Sequence, residues 1–294
     1  MNGFVVLDKS EGMTSFRASA ILRRIYNEKK TGHTGTLDPM ATGVLPVALG
    51  KATRFIDFLP ENDKGYTARF KLGIITDTLD ITGTVLETRE VNVKREDIEA
   101  VLPSFTGEIM QLPPMYSAVS VGGVRLYELA RKGIEIEREQ RKITVYSLTL
   151  RDTENEDEYE IDVKCSKGTY IRTLIADMGE KLGCGAVMTA LRRTLSNGFT
   201  VEEAVTEEEL HSLGEKAVRG IDAPFLCYPE VRVTDKQAKR FSNGGELSAE
   251  RLHREIFPSL YRVYGPDGAF LGLGEVKQDD LTTLWAKRVI GNDR

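Results

Sequence analysis

The spacing of apolar and polar positions changes several times along the chain. Phe4-Val5-Val6-Leu7, running on to Lys9, is an apolar run of strand length, whereas Ala18, Ile21, Leu22 and Ile25 recur at i, i+3, i+4 and i+7 and predict a helix over 15–27. Val44 to Leu49, Tyr66 to Leu72 and Gly83 to Leu86 predict further strands. A helix over 94–102 is expected to bury Ile98, Val101 and Leu102 and to stop at Pro103, whose ring cannot continue the helical hydrogen bonds. Strands over 143–150 and 159–164 are separated by a short connection, which favours an antiparallel pair. The next segment, 169–182, predicts a helix facing inward through Ile171, Leu174, Ile175, Met178 and Leu182. Strands and helices so interspersed predict an α+β fold.

Past Gly220-Ile221-Asp222-Ala223-Pro224 the texture changes to short strands, over 230–233, 260–264, 270–276 and 284–289, with a Gly265-Pro266-Asp267-Gly268 turn between two of them. This predicts a second, small β-rich domain over 228–294 behind a larger domain over 1–225. The chain's 294 residues, 40% hydrophobic and 29% charged, suit two such bodies with buried cores. No apolar run reaches membrane-spanning length, and no basic and apolar leader precedes Phe4, so a cytoplasmic protein without membrane contact is expected. Cys165, Cys184 and Cys227 are odd in number and far apart, which fits reduced thiols. With only His33, His211 and His253 besides, neither a metal nor a cofactor is expected; no phosphate-loop or dinucleotide fingerprint is present either.

A net charge of −5 argues against a polyanionic partner only if the charge is spread evenly, and it is not. Residues 1–60 carry eight Lys/Arg against five Asp/Glu, while Asp152, Glu154, Glu156, Asp157, Glu158, Glu160 and Asp162 crowd one stretch that is expected to face away from any nucleic acid. Arg23, Arg24, Lys29 and Lys30 suit either the negative end of a helix or a phosphate backbone.

The run Gly32-His33-Thr34-Gly35-Thr36-Leu37-Asp38-Pro39-Met40-Ala41-Thr42-Gly43-Val44-Leu45-Pro46 surrounds one carboxylate with residues that hold backbone rather than build core. Pro39 disfavours the α region at Asp38 and so poses that carboxylate in extended chain. Arg172 is placed oddly, in the first turn of a predicted helix where a cation meets the positive end of the dipole at a cost of about 0.3–1 kcal/mol. An anionic partner is expected to offset it.

The run around Asp38 resembles, residue for residue, the signature of the TruB family of bacterial tRNA pseudouridine-55 synthases. The resemblance continues at Lys64-Gly65-Tyr66, Leu72-Gly73, Thr76-Asp77-Thr78, Gln111-Leu112-Pro113-Pro114-Met115-Tyr116-Ser117-Ala118, Tyr127-Glu128-Leu129-Ala130-Arg131, Lys167-Gly168-Thr169-Tyr170-Ile171-Arg172-Thr173-Leu174 and Ala190-Leu191-Arg192-Arg193. It implies a pseudouridine synthase domain with a mixed, mostly antiparallel sheet flanked by helices, followed by a PUA-like RNA-binding domain. It implies Asp38 as catalytic nucleophile, Arg172 as its partner, and Tyr66 stacked on a flipped uracil with its hydroxyl near the proton to be removed. His33 is implied to stack where bases are displaced, Tyr170 and Leu191 to touch the flipped nucleotide, and Lys9 to be either structural or phosphate-facing. The implied partner is the T-stem-loop of tRNA, handled by a monomer without a cofactor, and Lys236, Lys239 and Arg240 are candidate contacts in the second domain. Two residues depart from the pattern: Ser10 stands where Pro is usual, and Ser120 where Lys is frequent. A role as a tRNA folding assistant, with catalysis secondary, is the alternative. An aspartyl-phosphate enzyme is disfavoured, because its aspartate would precede Thr34-Gly35-Thr36 rather than follow it.

Overall fold

Alternating burial along the middle of the chain produces an antiparallel sheet. In the computed structural model the strands Ala186–Ser196, Lys64–Leu72, Tyr159–Cys165, Arg141–Arg151 and Gly107–Gln111 lie side by side in that order, each antiparallel to the next. Thr42 and Gly43 add a short parallel pairing to Arg192 and Arg193, which makes the sheet mixed. Ala68, Phe70, Ile161, Val163, Met188 and Leu191 are buried on these strands. The helix Ile171–Lys181 packs Ile171, Leu174, Ile175 and Met178 inward, as the periodicity predicts, and lies against the strand Ala186–Ser196. A Cβ on Gly179 would come within 2.2 Å of the Ala186 nitrogen, so glycine is what allows helix and strand to approach this closely.

The structure describes residues 1–294 except 61–62, 152, 154–157, 253–254 and 292–294. Asp152, Glu154, Glu156 and Asp157, the centre of the acidic stretch expected to face away from nucleic acid, therefore lie outside the described residues, as does His253. The chain divides into two compact units. One comprises residues 1–38, 44–61 and 197–294; the other, which holds the sheet just described, comprises residues 39–43 and 62–196.

In the first unit the strand Gly3–Lys9 lies beside the strand Thr42–Leu49, and Thr31–His33 pairs antiparallel with the latter's end. Phe4, Val6, Val44, Ala48, Ala52, Phe55, Phe225 and Leu273 pack into one core. The C-terminal strands form a five-stranded sheet in the order Glu230–Arg232, Ser259–Tyr264, Phe270–Lys277, Asp280–Val289, Leu247–Ser248. Its own core gathers Val231, Val233, Val263, Val276 and Leu284 around Phe241 of the helix Asp235–Ser242. The predicted β-rich C-terminal region is thus present, with a helix that the strand rhythm did not announce. Among the described residues, no helix is long and apolar enough to cross a membrane.

Three expectations shift. The helix predicted over 15–27 ends at Ile25, with Asn27 at φ 46°, and its buried face is Ser15, Ala18, Ser19 and Leu22 while Ile21 and Ile25 are only half-buried. The strand expected over 83–86 runs instead over Val85–Thr88 and pairs with Ile74–Thr76. The strand Ala186–Ser196 was not anticipated at all. Its alternation is broken by Arg192-Arg193 and by irregularities between Met188 and Ala190 and between Arg193 and Leu195.

Candidate active site

Asp38 is held through its neighbour. Thr14 caps the helix Ser15–Ile25 by accepting a hydrogen bond from the Arg17 amide at 3.1 Å, which fixes Ser15 in the first turn. The buried Ser15 hydroxyl accepts from the Leu37 amide at 2.8 Å and donates to the Leu37 carbonyl at 3.1 Å. Leu37 is itself buried, so the backbone entering Asp38 is fixed on one side by this clamp and on the other by Pro39. The Thr34 amide donates to the Pro46 carbonyl at 3.0 Å and closes the base of the loop. Asp38 is half-buried, and so is His33, which sits opposite Val47 at the end of its strand.

Lys9, read from the sequence as either structural or phosphate-facing, has a structural setting. Its side chain is 0% exposed, and its ammonium donates to the carbonyls of Ser10 at 2.9 Å and Met13 at 2.7 Å. A group so enclosed ties down its own turn and presents no face to a phosphate.

In the other unit, Gly43 at φ 97° lies close against the strand Ala186–Ser196; a Cβ there would lie 2.2 Å from the Arg193 carbonyl oxygen. On that strand Leu191 is buried opposite Ala68, and Arg193, 1% exposed, is opposite Tyr66. Burial pushes the Arg193 guanidinium below its ordinary range, and the Tyr66 phenol hydrogen-bonded to it partly offsets this. Two residues along, Lys64 donates to the Ser196 hydroxyl at 3.0 Å. Its ammonium is pushed down to about 7, first by burial and then by the nearby Arg193 charge. Two buried basic side chains therefore flank the half-buried Tyr66.

Arg172 has the anionic partner that its placement demands. Its Nη1 lies 3.4 Å from Asp80 Oδ2, with both side chains about 6% exposed. Nη1 also donates to the Thr78 carbonyl at 2.9 Å, and Nη2 to the Tyr116 carbonyl at 2.8 Å. Asp80 is fixed in turn by its other oxygen: Oδ1 accepts from Thr78 Oγ1 at 2.9 Å, the Thr82 amide at 3.1 Å and Thr82 Oγ1 at 2.5 Å. One carboxylate oxygen thus builds the turn and the other faces the guanidinium. Tyr170, half-buried, is the capping position before the helix, and its backbone is bound by the buried side chain of Gln111. Asp80 is given no role by the sequence, nor are Lys64, Gln111 and Arg193, although these three lie in the motifs that carry the resemblance. For Asp80 a signal existed, since an aspartate flanked by Thr78 and Thr82 just before Gly83 has the composition of a side-chain-closed turn.

The Asp38 loop, Tyr66 and Leu191 on the mixed sheet, and Arg172 at the helix start carry the motifs by which the sequence resembles pseudouridine synthases, and comparison with known proteins shows that class. The family model for the TruB family pseudouridylate synthase N-terminal domain matches residues 23–171, that for the tRNA pseudouridylate synthase B C-terminal domain matches 172–222, and that for the pseudouridine synthase II TruB C-terminal region matches 229–290. The tRNA pseudouridine synthase B of Clostridium perfringens (strain ATCC 13124) is 49% identical over 94% of this chain and 95% of its own. That of Escherichia coli O139:H28 is 43% identical over 99% and 95%. The fold is similar to the crystal structure of a Cbf5-Nop10-Gar1 complex, at a TM-score of 0.74 and 29% identity, covering 98% of this chain and 84% of that one. The chain belongs to the TruB family of pseudouridylate synthases, and its C-terminal β-rich region is the PUA-like domain of that family.

Proposed function

We propose that this protein isomerises uridine 55 in the T-loop of tRNA to pseudouridine. The observation that carries the reading is identity of 43–49% to tRNA pseudouridine synthase B relatives along almost the whole of both chains, with Asp38 in the motif of the family's nucleophile. The reaction breaks the bond from C1′ to N1 of the uracil, turns the base and joins C1′ to C5; the C5 hydrogen leaves as a proton and N1 gains one. Nothing is oxidised or reduced, and no cofactor is called for.

In this reading Asp38 is the nucleophile, and the clamp on Leu37 beside it holds the carboxylate ready before substrate arrives. Arg172, by the family pattern, favours the ionised form of Asp38 and orients it, and a planar guanidinium does this in a way a lysine cannot. Tyr66 stacks on the extruded uracil, with Leu191 and Tyr170 beside the nucleotide. Extrusion costs on the order of a few kcal/mol, which His33 offsets by stacking in the space the base leaves. Residues 1–225 perform the chemistry as a monomer, and residues 228–294 contribute RNA contacts. The test is release of tritium from a tRNA transcript labelled at uracil C5, with chemical mapping of the product position. No release, or product only at another uridine, would overturn the assignment.

A further inference from the structure

The segment from Gln111 to Tyr116 grips the start of the Ile171–Lys181 helix at two points. Gln111, 2% exposed, ends the strand Gly107–Gln111 and turns its side-chain amide onto the backbone of Tyr170. Its Nε2 donates to the Tyr170 carbonyl at 3.0 Å, and its Oε1 accepts from the Tyr170 amide at 2.8 Å. Five residues on, the Tyr116 carbonyl accepts from Arg172 Nη2 at 2.8 Å. Tyr170 is extended, at φ −102° and ψ 109°, so the glutamine takes the place that a neighbouring strand would fill by pairing with both its amide and its carbonyl. The same carbonyl accepts the first helical hydrogen bond, from the Leu174 amide at 3.0 Å. The clamp therefore acts on the atom from which the helix starts, two residues before Arg172.

A primary amide offers a donor and an acceptor at fixed spacing to a peptide unit without any change of protonation. Ionised glutamate offers acceptors only, and asparagine falls short by one carbon–carbon bond, about 1.5 Å. We propose that Gln111 is a positioning residue for Arg172: through the Tyr170 backbone it sets where the helix begins and hence where the guanidinium stands. This rests on the reading of Arg172 as the partner of the Asp38 carboxylate. A displacement of about 1 Å at such a group costs up to about 100-fold in rate.

The test compares Gln111→Met, which keeps length but removes both hydrogen bonds, and Gln111→Glu, which keeps size and removes the donor, each alone and combined with Arg172→Lys. Turnover of a T-stem-loop hairpin is measured after a thermal melt establishes folding. Gln111→Glu carries the comparison if Gln111→Met does not fold. The expected result is a fall in kcat of at least about 10-fold for the Gln111 variant with KM within about 3-fold, and a double variant no more than about 3-fold slower than Arg172→Lys alone, because both act through one guanidinium. A residue that merely stabilises the fold would lower the melting temperature, and its penalty would multiply with that of Arg172→Lys. Multiplying penalties, or a Gln111 variant at wild-type kcat beside a slow Arg172→Lys, would overturn the inference. If Arg172→Lys itself turns over normally, the reading of Arg172 fails first, and this is seen without any Gln111 variant.

Discussion

Asp80→Asn separates the two tasks of the Asp80 carboxylate. With the amide oxygen in the place of Oδ1, asparagine can still accept the hydrogen bonds of Thr78 and Thr82 that build the turn. Its amino group then stands where Oδ2 stood, a donor facing the donors of Arg172. Removing one partner of a buried ion pair costs about 3–5 kcal/mol. Here the lower side of that range or less is expected, because the 3.4 Å separation is long for a charge-assisted hydrogen bond and the guanidinium keeps two carbonyl acceptors at 2.8 and 2.9 Å. A loss of about 2–3 kcal/mol in the unfolding of residues 62–196 follows, read from urea titrations with two spectroscopic probes, since a chain of two units need not unfold in one step. Hydrogen bonds to charged groups are worth about 1.5–3 kcal/mol, so turnover falls by about 10- to 100-fold if the guanidinium shifts in response. Hairpin binding stays within about 2-fold. Asp80→Ala, which loses the turn as well, is expected to be less stable than Asp80→Asn. Stability within about 0.5 kcal/mol of wild type together with turnover within about 2-fold would refute the claim that this pair anchors Arg172.

Asp38→Asn is expected to bind the hairpin near wild-type affinity and to release no tritium; any release above background removes Asp38 as nucleophile, while retained refolding of tRNA by this variant would support the folding-assistant role. Arg172→Lys should keep fold and binding but lose most turnover, since a point charge cannot hold two carbonyls and a carboxylate in one plane; kcat within about 2-fold of wild type contradicts this. Lys64, with Arg193, Cys165, Asp63 and Lys167 around it, is pushed down to about 7 in the fold against about 10.4 unfolded, so the unfolded chain binds the extra proton between those values. Stability should therefore rise with pH from about 7 to about 10 and be flat in this contribution below 7; Lys64→Met should flatten the rise, and an unchanged slope in urea titrations across that window counts against a buried, depressed lysine. In the C-terminal region the exposed Lys236 and Lys239 are the residues to reverse, because Arg240 is held by Glu246: Lys236→Glu with Lys239→Glu should raise KM for whole tRNA, leave kcat and the hairpin unaffected, and make the salt dependence shallower, whereas unchanged tRNA binding across salt removes this surface as an RNA contact.

How much of this was legible depended on whether a residue's partners lie near it in sequence. The helix around Arg172 was readable because its inward face repeats every three to four residues, and the need for an anion was readable from one cation in the wrong turn. The identity of that anion was not, because Asp80 lies 92 residues away and is delivered by a turn with no periodicity of its own. The strand Ala186–Ser196 was missed for a related reason. Its neighbours bury both of its faces over part of its length, so Arg193 sits where alternation would put a hydrophobe, and the tyrosine across the strand gap offsets part of the cost of that placement.

The C-terminal boundary shows the same limit from the other side. Strand rhythm separates residues 228–294, yet Phe270 packs on Phe55 with ring centres 5.9 Å apart, Leu273 joins the core of Phe4 and Phe225, and the Tyr264 hydroxyl donates to Asp222 at 2.7 Å. Arg54 and Lys51 reach the carbonyls of Ile290 and Gly291. Cutting the chain at 228 would therefore expose Phe55 and Phe225, each worth about 1.5–3 kcal/mol of burial, and strand Asp222 without its hydroxyl. A truncated protein would report the loss of core before it reported the loss of RNA contacts. Charge reversal at Lys236 and Lys239 leaves that core untouched, so a change in KM there belongs to the surface alone.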